Sequence, residues 1–135
     1  MWLLKRILGI CATPKPADAG CWRYGDGRVE VDLKRAPELA KAGGAVRLEG
    51  RGLPVRVLVV RGDDGNYRAY HNQCTHLGGR RLDPLPGAGM LKCCSVGQSA
   101  FATDGKNVSG PAPKPITVFA VEVQGERLLI RLGRQ

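Results

Sequence analysis

Histidine is nearly absent from this chain: 135 residues carry two, His71 and His76. Any site built on imidazoles has no others to draw on. Aromatic residues are also few, at 5%. None is interleaved with the basic residues as base stacking would require, which sets a nucleic-acid role aside. No apolar run reaches the ~20 residues that a membrane-spanning helix needs. No Ser/His/Asp set, mononuclear-iron constellation or phosphate loop stands out, so stand-alone catalysis has no visible basis. Acidic residues are outnumbered, 12 against 21 Lys and Arg, for a net charge of +9. The cations are scattered, a pattern suited to docking on an acidic protein partner or an anionic membrane surface.

What is present in quantity is turn chemistry. Nineteen Gly and nine Pro favour a loop-rich β protein over a helical bundle, and the length fits one domain. The five cysteines, Cys11, Cys21, Cys74, Cys93 and Cys94, are an odd set, which argues against a fully paired disulfide framework. Adjacent Cys93 and Cys94 could pair with each other only through a strained ring, so metal ligation or reduced thiols are expected. A reducing, cytoplasmic compartment suits them.

Residues 1–11 are apolar but broken by Lys5 and Arg6, too short to span a bilayer and charged in the wrong place for a signal peptide. They read equally as an interfacial helix on the inner face of a membrane or as a helix packed on a protein surface. Pro14 and Pro16 then make a stiff linker. The expected organisation is an N-terminal amphipathic segment with its Pro-rich linker over 1–20, and one domain over 21–135.

Along that domain, 28–33 alternates Val29, Val31 and Leu33 against Arg28, Glu30 and Asp32, as a half-buried strand does. Pro37 opens a short helical turn that Gly43 and Gly44 stop. Strands are expected over 45–49, 54–61 and 67–71, the last two joined by a tight turn at 62–66. The Pro- and Gly-rich stretch 83–89 reads as irregular, and 90–93 as a short strand. Residues 110–115 form a rigid segment with few backbone donors. A final hairpin joins 116–123 to 128–132 through 124–126. Many short strands with regular turn signals mean an antiparallel β-sandwich or barrel.

The chemistry concentrates in Cys74-Thr75-His76-Leu77-Gly78 and in Lys92-Cys93-Cys94-Ser95-Val96-Gly97-Gln98-Ser99-Ala100-Phe101. On an extended loop Cys74 and His76 point the same way across Thr75. A thiolate with an imidazole suits iron–sulfur or zinc chemistry.

Cys-Thr-His-Leu-Gly resembles the first box of Rieske proteins, where Cys-x-His and a later Cys-x-x-His hold a [2Fe–2S] cluster, two cysteines on one iron and two histidines on the other. The resemblance extends over 28–132 and includes 110–115, which is similar to the family's cluster-shielding proline loop. It implies an all-β, Rieske-like antiparallel sandwich or barrel with a small loop-built cluster-binding subdomain. The second box departs from the family. With Cys94 as ligand, Ser99 and Phe101 keep the family's Ser and Phe, and Gly97 stands in the histidine position. With Cys93 as ligand, Gly97 keeps the family's glycine and Val96 replaces the histidine. The first register retains more side-chain chemistry. Neither restores a second histidine, and the alternation of 67–71 reads His71 as a strand-end residue rather than a ligand.

The implied cofactor is a [2Fe–2S] cluster on Cys74, His76, Cys94 and Cys93, or a structural zinc, or none. The first reading is a small electron carrier or oxidoreductase subunit docking on an acidic redox protein. The other is a cluster-free or zinc-bound module acting as a structural or regulatory partner.

Overall fold

The computed structural model describes residues 13–74, 81–85, 89–94, 99–109 and 114–133. Eleven strands form two antiparallel sheets. The larger has seven, in the order β1-β2-β11-β10-β5-β4-β3, and the smaller has four, β6-β7-β8-β9. The expected β architecture is therefore present, and the only helical elements among the described residues are short 3-10 turns.

β1 (Trp22–Gly25) and β2 (Arg28–Asp32) are joined by Asp26 and Gly27, both at positive φ. Two such residues match the twist of the flanking strands, which is why Asp-Gly serves this hairpin. β2 continues onto β11 (Arg127–Arg131), which pairs with β10 (Val118–Gln124). β10 bonds β11 along 120–124 and switches to β5 (Tyr67–His71) at Val118 and Phe119. β4 (Val57–Arg61) and β3 (Ala45–Leu48) complete the sheet.

A first core lies on one side of that sheet. It gathers Val29 and Val31 of β2, Leu128 and Ile130 of β11, Val46 and Leu48 of β3, and Val57 and Val59 of β4. Each fully buried aliphatic side chain contributes roughly 1.5–3 kcal/mol relative to exposure. The alternate residues of β4, Leu58 and Val60, face a second core with Tyr70, Cys74, Leu82, Leu91, Cys93, Phe101 and Ile116. β4 is apolar without alternation because it is buried on both faces, as such runs require.

The small sheet covers this second core. Its outer strand β6 (Leu82–Leu85) starts the stretch expected to be irregular. The proline at Pro84 is tolerated because β6 is an edge strand, where a missing N–H can face away from the ladder. β7 (Met90–Cys93) follows as expected, then β8 (Ala100–Ala102) and β9 (Asn107–Ser109), which carry no strong alternation. Gly105 turns the chain between them at φ +89, with a would-be Cβ only 2.4 Å from the Ile116 carbonyl oxygen. A side chain there would push β9 and the start of β10 apart.

Candidate metal centre

Three chain segments end at the rim of the second core. β5 leads through Asn72 to Cys74, β7 ends on Cys93 and Cys94, and Ile116 follows the proline-rich segment. The last is fastened to the first where the His71 N–H donates to the Thr117 carbonyl at 3.0 Å. Cys74 and Cys93 are both 1% exposed and are reduced thiols. They belong to one apolar cluster. Cys94 follows the last residue of β7 and is disulfide-bonded, where reduced thiols or ligation were expected of the pair. It is not bonded to Cys93, in keeping with the strained-ring argument.

His76 lies outside the described residues, as do 75–80, 95–98 and 110–113, which hold the rest of both boxes and the centre of the proline segment. His71 is described, and its position decides its role. It pairs with Val57, and Ala69 on the same face belongs to the first core. Tyr70 and Cys74 belong to the second. His71 borders a surface pocket with Leu53, Pro54 and Arg56. Burial, and secondarily the Arg56 charge, lower its pKa. It sits on the far side of the sheet from Cys74.

Two groups near the boxes were invisible in the sequence. Glu49, just past β3, accepts from Arg47 Nη1 and from Arg81 Nη2, both at 3.0 Å, and from Arg81 Nε. The Arg81 hydrogen bond, with Arg47 behind it, holds the Glu49 carboxyl below its usual range against the opposing effect of burial. The Arg81 carbonyl in turn accepts the Cys94 N–H at 2.9 Å. This clamp ties the large sheet to the second box. Thr13 reinforces it, giving its N–H and Oγ1 to Asp83 Oδ1 while its carbonyl accepts from Arg47 Nε. The supposed linker is thus stitched to both sheets at this point.

The second group is Asn72, fully buried. Its Oδ1 accepts the Leu82 N–H at 2.8 Å, and its own N–H donates to the Arg56 carbonyl. The Nδ2 has no partner. A buried donor left unpaired costs about 1–3 kcal/mol. The alternation Tyr70, Asn72, Cys74 could have placed it on the cysteine face, but nothing in the sequence names Leu82 as its partner.

The model of the Rieske [2Fe-2S] domain matches residues 30–120. The chain belongs to the Rieske [2Fe–2S] domain family. Among solved structures, the cyanobacterial plasma membrane Rieske protein PetC3 from Synechocystis PCC 6803 is 29% identical, with 63% of this chain and 85% of that chain covered and a TM-score of 0.52. The ferredoxin of carbazole 1,9a-dioxygenase from Nocardioides aromaticivorans IC177 shares the fold at 20% identity, with 67% and 86% covered and a TM-score of 0.53. The quaternary ammonium Rieske monooxygenase CntA shares it at 18% identity and a TM-score of 0.57, but the match spans 85% of this chain and only 33% of the oxygenase. No curated protein matches the sequence.

The family's cofactor fits these residues in part. Cys74 and a second-box thiol suit the thiolate-bound iron, and the unpaired Asn72 amide gives the pocket a donor that sulfur can accept. The second iron has His76 alone, because His71 is on the wrong face and no third histidine exists. The departure from two-histidine ligation is thus one of topology as well as of composition.

Proposed function

We propose that this Rieske protein is a small electron carrier or redox subunit holding a variant [2Fe–2S] cluster through Cys74, His76 and a thiol of the Cys93–Cys94 pair. The observation that carries this reading is the convergence of Cys74 and Cys93, two buried reduced thiols from different strands, on one apolar core. When bound, such a cluster shuttles single electrons in a dry pocket. The chain's own residues supply the rest. Leu82, Leu91 and Phe101 exclude water, and the Glu49–Arg81 clamp fixes the backbone from which the second box leaves β7. A net charge of +9 suits docking on an acidic redox protein.

The disulfide at Cys94 favours a second reading, a cluster-free partner module, whenever it persists. Cytoplasmic residence would keep the pair reduced and available, whereas an oxidising compartment would preserve the bond. Anaerobic reconstitution of the reduced protein with iron and sulfide separates the readings. The carrier reading expects matched iron and labile sulfide with visible absorption. A colourless, sulfide-free, folded protein supports the module instead.

A further inference from the structure

Asn72 carries a role that neither its strand position nor the ligand set assigns. Its carboxamide orientation is fixed, since the Leu82 N–H can be accepted only by Oδ1, and the remaining Nδ2 is a donor without a partner. Oδ1 alone fastens β5 to β6, so this clasp leaves the amide hydrogens unused. The side chain faces the second core, two residues before Cys74. Its partner Leu82 lies directly across the β6–β7 ladder from Cys93.

The second core offers such a donor little except sulfur. Leu58, Val60, Leu82, Leu91, Phe101 and Ile116 have no side-chain acceptor. The Tyr70 hydroxyl is already donating to the Thr103 carbonyl at 2.9 Å. Only Cys74 and Cys93 remain. We propose that Asn72 is a positioning residue whose Nδ2 donates to a sulfur of the bound cluster, either the Cys74 thiolate or a bridging sulfide. The assignment rests on the carrier reading above. A hydrogen bond to cluster sulfur stabilises the more negative, reduced state, so this one raises the reduction potential.

Asn72→Asp keeps an oxygen for the Leu82 N–H and removes the donor. The test uses the full-length reconstituted protein labelled with 15N in asparagine side chains, reduced, and observed by pulsed electron paramagnetic resonance. A weak amide-nitrogen coupling is expected in the wild type, absent in Asn72→Asp, together with a lower midpoint potential in the variant. A wild-type spectrum without that coupling overturns the assignment even if the variant fails to fold. So does a variant whose coupling and potential match the wild type. Absence of iron and sulfide in the wild type is read before either measurement and removes the carrier reading itself.

Discussion

At the residue scale, the two histidines have opposite fates despite lying five positions apart. His71 shares a face of β5 with Ala69 of the first core, away from Cys74. Replacing it should leave the metal site alone. His71→Gln is expected to retain wild-type iron and sulfide after reconstitution, whereas His76→Gln and Cys74→Ser should lose most of both. Metal analysis beside the visible spectrum checks this, and loss of cluster in His71→Gln would show that the strand-face argument is mistaken. The same face logic explains Asn72. Its burial was implied by alternation from Tyr70 to Cys74, but its amide matters only because Leu82, ten residues on, brings a backbone N–H to it. Sequence patterns register faces. They do not register which donor meets which acceptor across a loop.

At the element scale, legibility followed the strength of the pattern. β2, β4, β5, β7, β10 and β11 stand close to where alternation or apolar runs put them. β1, β8 and β9 are three or four residues long and leave too little periodicity to read. β6 was hidden by Pro84, which an edge strand accepts. The candidate site was legible as two cysteine boxes, but the clamp between them was not, because Glu49 and Arg81 are 32 positions apart. That clamp has a measurable weight. Glu49→Gln should destabilise the protein by about 1–2 kcal/mol at neutral pH, allowing for partial exposure. The folded pKa of Glu49 is depressed, so its contribution is complete above the unfolded value near 4.3 and is lost as pH falls through the folded one. Urea midpoints of wild type and Glu49→Gln should therefore converge on acidification. A gap that stays constant to low pH would mean that the effect is not ionic.

At the scale of the whole molecule, the fold is a scaffold of one large sheet with a four-stranded sheet mounted on its second face. Among the described residues no helix is long and apolar enough to cross a membrane, and residues 1–12 lie outside those described, so the amphipathic reading of 1–11 stays an expectation from sequence. The cysteines report the state of the whole chain. Titrated under denaturing conditions, the oxidised protein should yield two fewer thiols than after reduction, one disulfide's worth. Equal counts would mean that Cys94 is reduced in solution. In the reduced protein, cluster uptake should be higher than in the oxidised one, since a sulfur held in a disulfide is no ligand for iron.

β4 has a further consequence. A strand with one polar face reports a one-residue slip by burying the wrong side chains. Val57, Leu58, Val59 and Val60 are apolar on both faces, so such a slip would meet little resistance from polarity. The address must be written elsewhere. The 62–66 turn writes it, with the Gly62 N–H on the Asn66 carbonyl and the Arg61 side chain reaching the Gly65 and Leu39 carbonyls. Because β5 is registered against β4 residue by residue, this turn sets where Cys74 arrives at the opposite end of the hairpin. The aim of the metal site is fixed from its far side.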